Sequence, residues 1–536
     1  MKFAHFRPLV VVFLAMLIGM LLARIVNTIG WWLILIIVGV GGLLIGLLFV
    51  PYKSEKFREL IRASRKVLIL GFAVILICQP MFFIEKANTT PSFDPVEGRL
   101  YRVNGVVDGS VVKADNYIYF DIRNVSATYD FVETKIDEKM WVVVFTTGLA
   151  SDNKLFKMDA GDNISFRAKI DQTPVIDEAG KVDGFAYVDS VYYSAAVNFD
   201  EVTYTEGKKN FIESVSAYVG DILKTGMGER YGGFALAVLL GDRSGIEQDI
   251  NGYFKDTGVF HLISISGLHV AFIVILLMWV LRRTKLNIKW QTAIAGIILL
   301  FYTFLCGFEA PIIRSSLMAI FILIGRCFGE QYDATSSVSL AGILILMFKP
   351  LYMFHVGFLL SFAGVFSMFW LTPVFMRLLK RLPKWLASSL AVSMAATLGT
   401  LPLTIAYFDY FPIYSLITNM VVVPIFGVVY CALFVLLLVC LLSCWLIPAV
   451  VYILKPAEWG FWLVDKGVAL FAMLPGAVVP AKLKLGFASM GFYTGMFVAS
   501  DFCLLNKKPK RITAGTLFAI FGIVLALHQF VNLSVI

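Results

Sequence analysis

Charge is scarce in this sequence. Asp, Glu, Lys and Arg make up 15% of the 536 residues while 59% are hydrophobic, and the mean hydropathy of +0.80 excludes a large soluble enzyme in favour of a polytopic α-helical membrane protein. Histidine is scarcer still. The five histidines, His5, His261, His269, His355 and His528, form no HxHxDH run, so no dinuclear zinc hydrolase assembles from them and no metal or other cofactor is expected. The seven cysteines all fall in apolar segments, which removes a disulfide framework and reads them as small core residues. A Walker-type GKS or GKT is absent too. Anything moved across the membrane is then driven by a partner ATPase, a gradient, or binding on the far side.

Apolar runs fill the space that charge leaves. Leu9–Val26 and Trp31–Val50 each approach the roughly 20 residues of a spanning helix, and NTIG between them makes a hairpin. With no small-residue cleavage site, the first run is an uncleaved anchor. Lys53, Lys56, Arg58, Arg62, Arg65 and Lys66 form a basic loop, which the positive-inside rule assigns to the cytoplasm together with the N-terminus. A third span, Val67–Ile84, leads back out. Later spans are expected at Val259–Leu281, Ile294–Cys306, Pro311–Phe328, Val338–Phe348, Phe354–Phe375, Leu386–Ala406, Phe487–Leu505 and Leu517–Leu533. Basic clusters at Arg282–Lys289, Arg377–Lys384 and Lys507–Arg511 mark inner loops, and the C-terminus falls outside. Ile413–Trp445 is too long for one ordinary helix and contains Pro424, which leaves a broken helix or a hairpin. Val450–Leu474 reads as amphipathic.

One stretch departs from this pattern. From Val96 to Tyr204 the period becomes two, as in NYIYFDIRNV and NISFRAKI, separated by Asp, Asn and Gly turns. About five strands follow, enough for a small Greek-key β-barrel of the OB type or another of its size. Thr90–Glu206 carries 20 acidic against 11 basic residues, a balance of −9, which leaves +18 of the net +9 for the membrane part. Aromatics are plentiful here, and Tyr117, Tyr119, Trp141, Tyr192 and Tyr193 are candidates for stacking on bases, against the plainer reading that most of them fill the core. Gly207–Tyr231 then has apolar residues at helical spacing and suits a helix lying on the membrane surface. Gly233–Leu240 is too short to span and reads as interfacial or re-entrant.

The densest chemistry lies in Leu239–Ile273, LLGDRSGIEQDINGYFKDTGVFHLISISGLHVAFI. Asp242, Arg243 and Ser244 sit between Gly241 and Gly245, which gives a tight turn with carboxylate, guanidinium and hydroxyl exposed. His261 and His269 then bracket Ser264, Ser266 and Gly267 at the mouth of a membrane helix. Each unpaired polar group at that depth costs several kcal/mol, so the segment is a functional-site hypothesis, with helix capping and interhelical hydrogen bonding as the bland alternative. Arg314 follows within a span, three residues past Pro311. It either lines a pore and contacts phosphate or pairs with Glu309 or Asp242.

GDRSG followed by TGVFHLISISGLHV closely resembles the core motif of the ComEC-type competence proteins. The likeness continues through Gly307, Pro311, Arg314 and Met318, the GFLLSF of Gly357–Phe362, Leu401 and Pro402, Asn419 and Pro424, so that it covers roughly Glu97–Pro424. It implies a channel in the bacterial inner membrane for uptake of single-stranded DNA in natural transformation, without enzymatic activity, whose β domain is OB-like. GDNISFRAKI and DGFAYVDSVYYS look like that domain's signature strands. The acidity is a departure, since a generic single-strand binder offers a positive groove. The resemblance further implies Arg314, His269, Ser266, Ser264 and His261 along the DNA path, with Gly241, Asp242, Arg243, Gly245 and Gly267 at its mouth. Partners would be the lipid bilayer, a DNA receptor and a cytoplasmic ATPase or helicase. Full-length relatives often carry a metallo-β-lactamase-like nuclease domain after the last helices, where this sequence stops, so a separate nuclease is expected.

The expected organisation is a three-helix membrane region (1–88), an extracytoplasmic β domain (89–206), a surface segment with the mouth motif (207–257) and a helical channel domain (258–536). Two readings of other classes stand beside the channel. Ser264, Ser266 and His269 would suit an intramembrane serine hydrolase, although no oxyanion hole or carboxylate partner is evident. Prolines within spans and buried polar residues equally suit a transporter of another polymer.

Overall fold

A backbone that crosses hydrocarbon has no water to bond with, so the apolar runs close their hydrogen bonds internally as helices. The computed structural model describes residues 8–30, 34, 38–39, 55–113, 116–146, 158–173, 175, 182–308, 310–328, 333–443, 448–481, 487–500 and 512–523. The chain divides into two units: Met1–Lys209 with Ile320–His355, and Asn210–Ala319 with Val356–Ile536. Residues 320–355 thus group with the N-terminal region, three hundred residues away in the chain.

In the first unit, α1 (Pro8–Ile29) packs along α2 (Glu55–Asn88). A Cβ on Gly19 would lie 2.7 Å from Cys78 Cβ, and Gln79 donates to the Gly19 carbonyl at 3.0 Å. Small residues let membrane helices approach to this range. The helix α9 (Ala334–Phe348) packs on α1 as well, with the Phe13 ring against the notch at Gly342. The expected span Trp31–Val50 lies almost wholly outside the described residues.

The β domain follows α2. Its strands are β1 (Leu100–Lys113), β2 (Tyr117–Tyr129), β3 (Val132–Ile136), β4 (Lys139–Phe145), β5 (Asn163–Lys169), β6 (Asp171–Gln172), β7 (Val191–Asn198) and β8 (Thr203–Thr205), with the short helix α3 (Gly184–Asp189) before β7. They form one sheet in the order β6-β7-β4-β2-β1-β5-β8, with β3 on β2. Period two is obeyed: Ile118, Phe120 and Ile122 of β2 and Met140, Val142 and Val144 of β4 are buried, and each such side chain contributes about 1.5–3 kcal/mol of hydrophobic stabilisation. The expectation of about five strands is corrected to eight, because β6 and β8 are two and three residues long and the five residues of β3 are exposed except at Thr134 and Ile136, so none of the three shows alternation to read. The sheet is also not closed. β5 approaches β7, yet no ladder between them is formed among the described residues.

Two attachments hold this domain to its helices. Tyr187 of α3 donates to Glu85 in the last turn of α2, and Glu138 accepts from the Ser92 backbone at 2.8 Å. Beside them α3 packs on the single turn Pro350–Phe354.

The second unit holds α4 (Phe211–Leu240), α5 (Gln248–Asp256), α6 (Gly267–Leu281), α7 (Ile288–Leu305) and the N-terminal part of α8 (Ala310–Cys327). It continues with α10 (Val356–Leu378), α11 (Lys384–Phe408), α12 (Ser415–Ser443), α13 (Lys455–Ala472), α14 (Phe487–Ala499) and α15 (Ile512–Ile523). Strands β9 (Tyr410–Pro412) and β10 (Val478–Pro480) pair between them. Within the expected stretch Ile413–Trp445, Ser415–Ser443 forms one helix with Pro424 inside, not a hairpin. Six described helices across the chain are long and apolar enough to cross a membrane, and α6, α9 and α15 are shorter apolar helices. Among the described cysteines, Cys78, Cys306 and Cys440 are buried and unbridged.

Candidate channel mouth

The candidate site is built on a helix that doubles back. Gly228 has φ 78° and ψ 166° inside α4, a conformation that glycine adopts without steric cost. The two arms fold on each other: a Cβ on Gly220 would meet Leu236 at 3.2 Å, and one on Gly232 would meet the Lys224 backbone at 2.7 Å. The first arm starts with a capping box, in which Asn210 accepts from the Glu213 backbone at 2.9 Å and Glu213 accepts from the Asn210 backbone at 2.7 Å. The second ends at Gly241 in the left-handed region, which caps its C-terminus.

Gly241 opens the predicted turn. Asp242 accepts from the Ser244 backbone at 3.0 Å, an Asx turn that spares one backbone donor. The turn then folds onto the second arm, so close that a Cβ on Gly233 would lie 2.2 Å from the Gly245 carbonyl oxygen. That contact corrects the expectation of exposed side chains, for Asp242, Arg243 and Ser244 are all half-buried. Arg243 donates to Ser264 Oγ at 2.9 Å and ties the turn to the serine segment.

The predicted span Val259–Leu281 starts late. Residues 259–266 form a single turn and an irregular stretch, and α6 has only 15 residues. Ser266 caps it: the Leu268 backbone donates to Ser266 Oγ at 3.3 Å, and the Ser266 backbone donates to His269 Nδ1 at 3.0 Å. This is a capping box with histidine in the place of the usual glutamate or glutamine. His269 is fully buried, with its ring edge-on to Tyr430 at 5.0 Å and to Phe426 at 5.5 Å. Because Nδ1 accepts from a backbone N–H, the neutral ring carries its proton on Nε2. His261 is exposed and Gly267 is exposed, while Ser264 and Ser266 are half-buried.

Arg314 on α8 is 3% exposed, and the neighbouring Ser315 lies beside the start of α6, 3.5 Å from where a Cβ on Gly267 would sit. Glu309, named as a partner for Arg314, lies outside the described residues. Between α7 and α8, Thr303 donates to Ser316 at 2.9 Å. Tyr302 donates to the Leu239 carbonyl at 2.9 Å, joining α7 to the end of the second arm. Turn, serine segment, capped helix and buried arginine therefore share one neighbourhood.

Sequence reasoning missed a second polar centre. Arg230, just past the bend, bonds Asp249 at 2.8 Å, Asp465 at 3.1 Å and also Glu247. Asp465 on α13 is fully buried and accepts a further bond from Tyr231 at 3.3 Å. The only signal was Asp465 itself, a carboxylate interrupting an apolar segment. Among the described residues, no group of three or more His, Cys, Asp or Glu is placed to hold a metal ion.

The hydrolase reading fits this geometry poorly. Ser266 Oγ and His269 Nδ1 are 3.1 Å apart, but Nδ1 is shared with a backbone N–H, and Nε2 has no hydrogen-bond partner among the described residues. Among the described residues, no orienting carboxylate holds that ring.

In the β domain the aromatic candidates divide. Tyr192 and Tyr193 are buried, and Tyr193 OH both accepts from the Phe93 N–H and donates to the Phe93 carbonyl, so they are core residues. Tyr117, Tyr119 and Trp141 share the outer face of β2 and β4, with ring centroids 6.1 and 6.3 Å apart. Phe145, missed in the sequence, is exposed opposite Tyr117.

Residues 238–504 match the family described as Competence protein. Over that region, just under half of its length, the chain is similar to the competence-protein family. Comparison with curated proteins gives 30% identity over 194 residues to ComE operon protein 3 of Bacillus subtilis, which is 36% of this chain and 24% of that one. It gives 34% over 147 residues to Competence protein ComA of Neisseria gonorrhoeae, 26% of this chain and 21% of the other. Uncharacterized protein YcaI of Escherichia coli is 25% identical over 205 residues, 35% of this chain and 26% of YcaI. The matches thus span about a quarter of the relatives' length. No solved structure matches. The competence region begins at the second arm of α4 and contains the Gly241–Gly245 turn, the serine segment, His269 and Arg314.

Proposed function

We propose that this chain is a channel of the bacterial inner membrane that takes up single-stranded DNA in natural transformation, without enzymatic activity of its own. The observation that carries the reading is the Arg243–Ser264 bond, which fixes the mouth turn to the polar segment next to Arg314, all inside the competence region. A phosphate chain crossing a low-dielectric region needs donors along its path. Arg314, His269, Ser266, Ser264 and His261 form that path, and Gly241, Asp242, Arg243, Gly245 and Gly267 shape its mouth. The N-terminus is cytoplasmic, and the β domain and C-terminus are on the outer side.

The β domain receives the strand as an OB-type barrel. Support comes from the order β7-β4-β2-β1-β5, the parallel β4–β7 pair and the approach of β5 to β7. Its contact with bases is stacking on Tyr117, Tyr119, Trp141 and Phe145. A DNA receptor, a separate nuclease and a cytoplasmic ATPase or helicase complete the machine. The test is deletion of the gene in a naturally competent host: fluorescent DNA should then stay outside the cytoplasm, and uptake at wild-type level refutes the channel.

A further inference from the structure

The tip of the β2–β3 hairpin is built against local preference. Tyr129 pairs with Val132, leaving Asp130 and Phe131 as a two-residue loop with φ 47° and 65°. Such loops favour Asn-Gly or Asp-Gly because both central residues are left-handed. A bulky residue there costs roughly 1–2 kcal/mol. Phe131 is also 103% exposed, so its ring gains no packing in return, and Val132 beside it is 66% exposed.

The position of the tip supplies the reason. Strand β4 begins at Lys139, next to Glu138, which bonds Ser92 just past the end of α2. Strand β7, parallel to β4, begins at Val191 just after α3, which is fastened to Glu85 of α2. The sheet therefore stands on its Lys139 end. From Ile122, opposite Met140, β2 runs on past that end as the hairpin, towards α2 and not away from it. The register Arg102–Thr128 continued by two residues sets Leu100 opposite Asp130, and Leu100 and Val96 are 60% and 48% exposed. Four apolar side chains thus gather at the end of the sheet where a spanning helix emerges. Around them Glu97, Asp130, Glu133 and Asp171 nearly offset Arg99, Arg102, Lys135, Arg167 and Lys169.

We infer that the hairpin tip, led by Phe131 with Val132, Leu100 and Val96, is a lipid anchor that seats the β domain in the interfacial layer of the leaflet at the Asn88 end of α2. Burying apolar rings and methyls at the headgroup boundary is favourable without any specific headgroup. The nearly balanced charge makes the anchor insensitive to salt and to anionic lipid. This assignment is independent of DNA transport.

The test uses the full chain in phosphatidylcholine nanodiscs. Phe131→Cys and, separately, Val132→Cys are labelled with an environment-sensitive fluorophore, with labelled wild type as background for the native cysteines and Asp200→Cys, at the opposite end of β7, as an aqueous control. Labels at 131 and 132 should shift to the blue and be quenched at least twofold by shallow spin-labelled lipid, equally at low and high salt, while the label at 200 is not. Phe131→Gly should keep the β-domain amides protected from hydrogen exchange, since glycine suits the turn, yet at least halve the quenching of a label at 132. Labels at 131 and 132 quenched no more than the one at 200 overturn the anchor. So does protection that appears only when single-stranded DNA or another protein is added.

Discussion

Ser266 and His269 close the first turn of α6 on each other, with the serine backbone donating to the histidine ring at 3.0 Å. A glutamine at 269 can accept the same bond, whereas leucine fills the space and leaves the Ser266 N–H unpaired. Losing such a cap costs about 0.5–2 kcal/mol. Membrane abundance of His269→Gln is expected to stay within twofold of wild type, with His269→Leu clearly lower. Equal abundance of the two would show that the cap is not what the histidine is for.

Arg314 separates a transport role from a structural one. The guanidinium stays charged at any physiological pH and forks two phosphate oxygens, which an ammonium does less well. Arg314→Ala should abolish DNA internalisation at normal membrane abundance, and Arg314→Lys should retain part of it. A structural arginine gives the other pattern, a fall in protein level. Normal abundance with normal uptake in the alanine variant rules out both.

Arg230 and Asp465 should be coupled. Arg230→Met strands a fully buried carboxylate, and breaking a buried pair on one side costs about 3–5 kcal/mol. The single variant should be poorly folded, and Arg230→Met with Asp465→Leu should recover much of the loss. Additive losses in thermal stability would refute the coupling.

Asp121 makes the β domain pH-sensitive. Burial, assisted by Asp189 and Asp108 against the opposing charge of Lys139, pushes its carboxyl up to about 6. The folded state therefore holds this proton more tightly than the unfolded chain, so stability from this group falls as pH rises between about 4 and 6 and the full penalty is present above 6. Asp121→Asn should increase the hydrogen-exchange protection of β2 and β4 at pH 7.5 and leave it unchanged near pH 4. A gain of the same size at both values would point to some other cause.

The acidic β domain should contact DNA by stacking and little by phosphate neutralisation. Trp141→Ala should weaken single-strand binding to the full protein severalfold, with a salt slope that is shallow and unchanged. A steep slope that flattens when basic residues of this domain are removed would contradict the stacking model.

Residues whose environment is local were legible in the sequence. Alternation in β2 and β4 gave the strands, and the Gly241–Gly245 spacing gave the turn, whereas Ser266 is the extended cap of α6 and shares no helix face with His269. Gly207–Tyr231 and Gly233–Leu240 read as two segments, and the chain does bend into two arms, but at Gly228, inside the first of them. Relations across the chain were not legible. Tyr193 differs from Tyr119 only in which face of the sheet its strand presents, and Arg230 meets Asp465 across 235 residues. The grouping of residues 320–355 with α1 depends on Phe13 fitting the notch at Gly342, which no periodicity records.

The short α6 has a consequence for the lipid around it. Fifteen residues rise about 22 Å, against a hydrocarbon thickness of about 30 Å. A hydrophobic mismatch of about 8 Å is met by thinning the bilayer, and the stretch that precedes this helix, 259–266, sets His261, Ser264 and Ser266 among apolar residues. A bilayer thinned by that much loses about a quarter of its dielectric barrier.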